Sequence, residues 1–172
     1  PGSFNPIHEG HLQMAEKASE LTRQAVDFEV CVHNVDKPSL NFQSLQERLD
    51  SMQTSLKGRS YAGLILFTST PTFVEKAETF PNSKFVVGWD TFKRIADPKY
   101  YGGSEGLQKA LHRLRQLNTQ FLVFHRITDG KSSAGEPLNG IPTELLAMST
   151  ICGEDILPAT NFSSTAIRKA KV

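Results

Sequence analysis

Cysteine is scarce in this sequence. Only two cysteines occur among the 172 residues, Cys31 and Cys152, and they lie far apart. Neither a paired spacing nor a Cys–His pattern indicates a disulfide framework or a zinc site. Cys31 stands in an apolar run, which favours a small buried side chain. Two isolated cysteines fit a reducing compartment, and we expect a cytoplasmic protein.

The sequence also lacks long hydrophobic runs, internal repeats and an excess of either charge. No apolar run approaches the ~20 residues that a membrane-spanning helix needs. Lys and Arg number 19 against 18 Asp and Glu, a net charge of +1, whereas a general nucleic-acid binder usually carries a clear basic excess. We therefore expect neither a membrane nor a nucleic acid as partner. A phosphate ligand would be held by a local arrangement of residues.

What the chain does have is an alternation of helical and strand patterns. Apolar spacing predicts helices over residues 9–24, 45–56 and 107–117, with Pro71 as the first residue of a further short helix. Apolar segments predict strands at residues 25–32, 63–67, 84–88 and 121–124. A loop is expected over 128–139, and a helix start near residue 163. The alternation predicts an α/β fold with a parallel sheet covered on both faces, and ligands at the carboxyl ends of its strands.

The expected domain is unusual at its beginning. A loop-to-helix turn like the one at Gly2 normally follows a strand, and almost nothing precedes it here. We expect a single domain over residues 1–172, with its first, central strand upstream of residue 1.

The opening segment, GSFNPIHEGHL at residues 2–12, holds two histidines at the start of a predicted helix. His8 and His11 are three residues apart and share one face. Orphan backbone N–H groups and the positive end of the helix dipole face the same space, which makes an anion site. Alternatively, one histidine caps the helix and the other packs against a strand. A metal would need a third ligand, and no ligand is obvious, so we expect no metal site.

The tail, SSTAIRK at residues 163–169, is a second candidate for phosphate binding. Its hydroxyls, from Ser163, Ser164 and Thr165, can cap a helix or bind phosphate oxygens. Arg168 lies one turn further on, and its guanidinium fork suits phosphate. The alternative is a plain capped helix with a solvated arginine.

Together the two motifs resemble the (H/T)xGH and SSTxIR signatures of the nucleotidylyltransferase superfamily. Within it, the chain looks most like nicotinamide and nicotinate mononucleotide adenylyltransferases. The resemblance extends through residues 34–37, Arg48 and Gly88-Trp89-Asp90, and so spans nearly the whole chain. It implies a Rossmann-like, doubly wound parallel sheet of the HxGH type.

The resemblance also implies an activity and a donor site. The enzyme would move AMP from ATP to a small phosphorylated acceptor and release pyrophosphate, with Mg²⁺ carried by the phosphates. His8 and His11 would contact the triphosphate, with His11 beside the α-phosphate. Residues 163–165 and Arg168 would hold the β- and γ-phosphates. Backbone atoms of three residues would line the nucleotide, namely Gly2, Ser3 and Phe4.

For the rest of the site, the resemblance implies that Gly88 and Asp90 face the ribose or a magnesium-bound water. Lys37 would approach the acceptor phosphate, with a solvated loop lysine as its alternative. For Arg48 the alternative is a charged residue on an exposed helix face, which needs no function.

The region that would contact the acceptor departs from the pattern. Nicotinamide-handling members place a tryptophan after the GxD segment to stack on the pyridine ring, whereas residues 91–101 contain none. Phe73, Tyr100 or Tyr101 could offer a ring face instead, although aromatic residues are more often core. This variant resembles a branch labelled only as cytidylyltransferase-like.

Several alternatives stay open. The acceptor could be another phosphate ester such as phosphopantetheine, and the donor could be CTP. A non-catalytic nucleotide-sensing domain of a larger protein is a different class, and a homo-oligomer or a fusion to another domain fits as well. A class I aminoacyl-tRNA synthetase is disfavoured, because the chain is short and has neither a KMSKS-like run nor an anticodon-binding region.

Overall fold

The structure is a computed structural model that describes residues 1–33, 42–125, 127–128, 131–132 and 138–153. Its residues separate into two compact units, one over Pro1–Pro71 and one that begins at Thr72. The single domain predicted for residues 1–172 stays a prediction. Within the described ranges, no helix is both long enough and apolar enough to cross a membrane.

The first unit consists of two helix–strand pairs. Its elements are α1 (Glu9–Thr22), β1 (Val26–Cys31), α2 (Phe42–Leu56) and β2 (Ala62–Thr68). The two strands are parallel, with Cys31 opposite Thr68, as the alternating pattern predicts. The opening segment runs beside β1, because the Gly2 N–H donates to the Glu29 carbonyl at 2.9 Å.

A cluster of buried apolar side chains joins the opening segment of the first unit to both of its helices and to β1. Its members are Phe4, Ile7, Leu12, Ala15, Phe28, Val30, Met52, Leu56 and Tyr61. The predicted face of α1 is confirmed for three residues, Leu12, Ala15 and Ala18, which are buried. It is wrong for Leu21, which is 53% exposed in the last turn, where Arg23 ends the helix in the left-handed conformation. Because Phe4 and Ile7 belong to this core, the opening segment is anchored by packing.

The strand pair of the first unit contains an irregularity at Asp27. The register shifts between Val26 and Phe28, and the Asp27 carboxylate accepts a hydrogen bond from the Leu64 N–H at 2.7 Å. The same carboxylate fills the space beside Gly63, where an added Cβ would overlap Asp27 Oδ1. Asp27 and Gly63 therefore fit each other across the two strands.

The second unit is built on a three-stranded parallel sheet. Its strands are β3 (Lys84–Gly88), β4 (Gln120–Phe124) and β7 (Ser149–Cys152), in the order β3-β4-β7, and a short antiparallel pair, β5 (Ile127–Thr128) and β6 (Lys131–Ser132), precedes β7. Its helices are α3 (Phe73–Thr79), α4 (Trp89–Ile95), α5 (Ser104–Gln116) and α6 (Thr143–Ala147), with a 3₁₀ turn at Pro98–Tyr101. The loop predicted over 128–139 falls mostly outside the described residues, and the helix start predicted near residue 163 falls wholly outside them.

The three parallel strands end at the same edge of their sheet. Gly88 pairs with Phe124, and Phe124 pairs with Cys152. Large side chains fill the sheet and its helices, among them Trp89, Phe92 and Phe121, each at most 2% exposed. In open parallel sheets, ligands bind outside the carboxyl ends of the strands, so the residues that follow Gly88 and Phe124 lie where a ligand is expected.

The start of α3 differs from the prediction. Pro71 was expected to be the first helical residue, but the helix begins at Phe73 with Thr72 as its N-cap. The Thr72 N–H donates to Glu75 Oε2 at 2.8 Å, and the Glu75 N–H donates to the Thr72 hydroxyl at 3.3 Å. This reciprocal capping box satisfies two helix-end donors and sets the boundary after the proline.

Candidate active site

The two motif histidines lie together at the beginning of α1. His8 is the N-cap residue with an extended backbone, and its carbonyl accepts hydrogen bonds from the N–H groups of His11 at 2.8 Å and Leu12 at 3.3 Å. The two imidazoles are stacked, with centroids 3.7 Å apart and planes 29° apart. The i, i+3 spacing therefore places both rings on one face, at a helix end that favours anions.

The tautomer of His11 follows from a backbone hydrogen bond. The His8 N–H donates to His11 Nδ1 at 3.2 Å, so Nδ1 acts as an acceptor. A neutral imidazole has one donor and one acceptor nitrogen, and the proton of His11 therefore sits on Nε2. His11 is set up as a hydrogen-bond donor through Nε2, the role required beside a phosphate oxygen.

Phe4 supports the His11 ring from the core side. Its ring meets the His11 ring edge-on at 5.0 Å and the Phe28 ring edge-on at 5.7 Å. Its φ of 39° is in the left-handed region, which a bulky aromatic residue rarely adopts. Gly2 leaves room for this arrangement, because an added Cβ would lie 2.8 Å from the Phe4 ring.

Arg48 joins α2 to the opening loop. Its side chain is 8% exposed, and Nη1 donates to the Ser3 carbonyl. The alternative that placed Arg48 on an exposed helix face is wrong, because the residue shares the buried stripe of α2 with Met52 and Leu56, four and eight positions later. The spacing of Arg48, Met52 and Leu56 is visible in the sequence. A charged residue in line with an apolar stripe is, however, more simply interpreted as lying at its edge, with the charged group in water.

A buried acid in β1 was missed by the sequence analysis. Glu29 is buried, and its Oε1 accepts a hydrogen bond from the Thr68 hydroxyl. The Thr70 hydroxyl in turn donates to the Thr68 oxygen at 2.9 Å. The available signal was an acid between two apolar residues of the predicted strand, Phe28 and Val30. Glu29, Thr68 and Thr70 thus form a chain of hydrogen bonds at the end of β2. Glu29 also bonds the opening segment, because its carbonyl accepts from the Gly2 N–H.

In the second unit, Gly88 and Asp90 lie at the junction of β3 and α4. Gly88 is the N-cap of α4 with an ordinary φ of −79°, and an added Cβ would meet no atom of the described residues within 4 Å. Asp90 stands in the first helical turn, with its side chain 68% exposed and 3.7 Å from Lys93 Nζ. The space in front of Gly88 and the exposed carboxylate are compatible with a ligand at this edge.

Trp89 belongs to the core of the second unit. It is 2% exposed, and its ring lies 4.7 Å from that of His125, the residue that follows β4. His125 was not among the predicted site residues, although its place directly after the apolar run 121–124 was a usable signal. Trp89 has no exposed face on which an acceptor ring could stack.

The predicted site residues therefore divide into three groups. Five are brought together in the first unit, namely Gly2, Ser3, Phe4, His8 and His11. Two stand in the second unit, Gly88 and Asp90. Five lie outside the described residues, namely Lys37, Ser163, Ser164, Thr165 and Arg168. Among the described residues, three or more His, Cys, Asp or Glu side chains do not gather as a metal ion would require.

The three aromatic residues considered for the acceptor differ in their surroundings. Phe73 contacts Phe85 and Phe121 edge-on, at 5.5 and 5.6 Å, and so belongs to the core. Tyr101 also packs against that core. Tyr100 is half-buried, with Lys99 Nζ 4.8 Å from the centre of its ring. Tyr100 is the candidate of the three that lies outside the packed cluster.

Lys99 is tied to Asp97 at the 3₁₀ turn. The Asp97 carboxylate accepts from the Lys99 N–H at 3.0 Å and lies 3.0 Å from its ammonium. Hydrogen bonds from the Lys99 backbone and side chain hold the pKa of Asp97 below its usual value, and the Asp97 carboxylate raises the pKa of Lys99. The ion pair with Asp97 therefore favours the position of the Lys99 ammonium beside Tyr100.

Tyr101 should make the stability of the protein fall at high pH. Burial raises the pKa of Tyr101 to about 12, whereas an unfolded tyrosine ionises near pH ~10. Between those values the unfolded chain loses a proton that the folded chain keeps, so the free energy of unfolding decreases as pH rises. We expect wild type to lose about 2 kcal/mol more than Tyr101→Phe between pH ~9 and pH ~11.5. Urea unfolding at both pH values checks this, and equal losses in the two proteins would contradict it.

Comparisons with known proteins agree with the family that the motif at residues 2–12 indicates. Residues 1–170 match the sequence model of a family described as cytidylyltransferase-like. The chain is similar to a curated protein of Trichormus variabilis named "Probable nicotinate-nucleotide adenylyltransferase", with 30% identity over 186 residues, 98% of this chain and 81% of that protein. It is also similar to a protein of the same name from Nostoc sp., with 30% identity over 118 residues, 60% of this chain and 53% of that protein.

Proposed function

The chain belongs to the cytidylyltransferase-like family and is a nucleotidyltransferase, and on this basis we propose that it transfers AMP from ATP to nicotinate mononucleotide and releases pyrophosphate. The observation that carries the donor half is the stacked His8–His11 pair at the start of α1, with the His11 proton on Nε2. The acceptor is suggested by the name that the two relatives share.

The proposed reaction is a direct in-line displacement. An oxygen of the acceptor phosphate attacks the α-phosphorus of ATP. A new phosphorus–oxygen bond forms, the bond from the α-phosphorus to the bridging oxygen breaks, and pyrophosphate leaves with the electron pair. The acceptor is already an anion, so the enzyme needs no serine or cysteine nucleophile and no base to generate one. Catalysis then consists of positioning and electrostatic stabilisation.

Within this proposal, His11 donates from Nε2 to an α-phosphate oxygen, where charge grows in the transition state. His8 contacts the neighbouring phosphate oxygens, since its ring is stacked on that of His11. The backbone of Gly2, Ser3 and Phe4 lines the nucleotide.

The remaining motif residues have proposed roles as well. Ser163, Ser164, Thr165 and Arg168 hold the β- and γ-phosphates, and Lys37 approaches the acceptor phosphate. Asp90, whose side chain is 68% exposed, suits an outer contact with the ribose or a metal-bound water. Mg²⁺, when bound with ATP, neutralises phosphate charge. One exposed carboxylate is enough for an ion that is coordinated mainly by the phosphates and by water.

For the acceptor ring we propose Tyr100. It lies outside the packed aromatic cluster and is half-buried, so part of its ring can meet a ligand. A second acceptor class is favoured by one observation, the lack of a tryptophan in residues 91–101. A phosphate ester without a pyridine ring, such as phosphopantetheine, would not need that platform.

The test is pyrophosphate release by the full-length protein. Mg²⁺-ATP would be offered with nicotinate mononucleotide, nicotinamide mononucleotide or phosphopantetheine, with Mg²⁺-CTP run in parallel. We expect release with ATP and nicotinate mononucleotide and its loss in His11→Ala. Release with a different pair would keep the chemistry and replace the substrate. ATP binding without release from any pair would overturn the proposal in favour of a nucleotide sensor.

A further inference from the structure

We infer that Arg48 is a positioning residue for the nucleotidyl transfer, holding the Ser3 carbonyl so that Phe4 supports the His11 ring. This inference rests on the proposed function for its kinetic consequence. Its structural part concerns the first unit alone and can be tested without turnover.

Arg48 carries a permanent charge that is buried in the first unit. Arg48 is 8% exposed, and it lies on the stripe of α2 that includes Met52, which is fully buried. A buried guanidinium is costly unless its N–H groups have partners. One of these partners is the Ser3 carbonyl, a backbone group 45 positions away in the sequence. The bond therefore spans from the helix to the loop and is not a local helix contact.

The bond acts on the peptide that leads into Phe4. Fixing the Ser3 carbonyl fixes the plane of that peptide, and Phe4 then takes its unusual φ of 39°. Such a backbone conformation persists in a bulky residue only when its surroundings impose it. Arg48 on one side and the packing of Phe4 against Phe28 at 5.7 Å on the other provide these surroundings.

The Phe4 ring transmits the arrangement to His11. Its edge-on contact at 5.0 Å and the stack of His8 at 3.7 Å hold the imidazole between two aromatic surfaces. If the Ser3 carbonyl moved, Phe4 would relax and His11 would lose one of these surfaces. Small displacements of a catalytic donor cost large factors in rate, so Arg48 acts on the rate through this loop.

The kinetic experiment compares Arg48→Lys and Arg48→Met with Arg59→Met. Lysine keeps the charge but loses the planar fork. Arg59 is the matched control, because its Nε also donates to a backbone carbonyl, that of Ser55 at 2.8 Å, in the same unit. We expect kcat to fall about 10-fold in Arg48→Lys and up to about 100-fold in Arg48→Met, with KM for ATP changed less than about threefold and Arg59→Met at the wild-type kcat.

A second readout does not depend on activity. The ring signals of His11 in NMR spectra carry shifts from the stacked and edge-on rings around it. In Arg48→Lys these signals should move towards solvent values, while those of His112, on α5 of the second unit, stay in place. Arg59→Met should leave both sets unchanged.

The outcomes are distinguishable. Folded Arg48 variants with wild-type kcat or unmoved His11 signals would overturn the inference. Failure of both Arg48 variants to fold would also overturn it, since Arg48 would then be a structural residue. If wild type itself releases no pyrophosphate, the proposed function fails, and the movement of the His11 signals still decides whether Arg48 positions the loop.

Discussion

Replacing His11 with alanine is expected to lower kcat for pyrophosphate release by about 10²- to 10³-fold, while the affinity for ATP changes only a few-fold. The Nε2–H of His11 is aimed by the His8 N–H bond at 3.2 Å and by the rings on either side. Such a donor contributes most where charge develops in the transition state. Ground-state binding is shared among many phosphate contacts and suffers less.

Two amide substitutions separate this catalytic role from helix capping. In His11→Asn, the side-chain oxygen stands near the position of Nδ1 and can still accept from the His8 N–H, so stability should be kept while turnover is lost. In His11→Gln, the amide N–H lies closer to the position of Nε2, and part of the turnover should return. His112→Ala is the control, since that exposed histidine bonds Gln116 on α5. Equal losses in kcat and ATP affinity in His11→Ala would indicate a purely ground-state role.

The second large effect is expected at Gly2, where valine should lower kcat by about 10²-fold. A Cβ at this position would lie 2.8 Å from the Phe4 ring, and Phe4 is buried between Phe28 and His11. The ring has no free space to retreat into, so the loop and the His11 ring must shift. Steady-state kinetics on Gly2→Val check this, together with thermal unfolding to verify the fold.

Relief of the same contact provides a control for Gly2. In the Phe4→Leu background, Gly2→Val should lower kcat much less than it does in wild type, because the smaller side chain leaves room for the valine. Gly153→Ala should be neutral, because an added Cβ there would meet no described atom within 4 Å. If Gly2→Val lowers kcat by the same factor with Leu as with Phe at position 4, the glycine is needed for another reason, such as close approach of the nucleotide.

Much of the fold could be predicted because its signals are local. The strands at 84–88 and 121–124 are short apolar runs, and the structure has them at Lys84–Gly88 and Gln120–Phe124. Four elements of four to seven residues were not predicted, namely α4, the 3₁₀ turn at Pro98–Tyr101, α6 and β7. They are too short for a hydrophobic period, and α4 follows β3 without a break, so that no turn signal separates the two elements.

The candidate site was predictable only in part, for a similar reason. The placement of His8 and His11 on one face of the helix follows from their spacing of three residues, which is visible in the sequence. The burial of the Arg48 charge does not follow from spacing, because it depends on a partner 45 positions away in the sequence, the Ser3 carbonyl. Likewise, Glu29 is held by a threonine 39 positions away, and a strand pattern contains no sign of that partner. Contacts between distant segments decide these positions, and a single sequence does not record them.

The fit between Asp27 and Gly63 makes changes at the two positions depend on each other. A side chain at position 63 would overlap Asp27 Oδ1, but Asp27 is exposed, so its carboxylate can rotate away and give up the hydrogen bond from the Leu64 N–H. The cost of a substitution at position 63 therefore includes the loss of that bond, and a variant that already lacks the Asp27 carboxylate does not bear this cost a second time. A lineage or a directed-evolution library would accept a change at position 63 more readily after one at position 27, and testing each position separately would overestimate the cost of the pair.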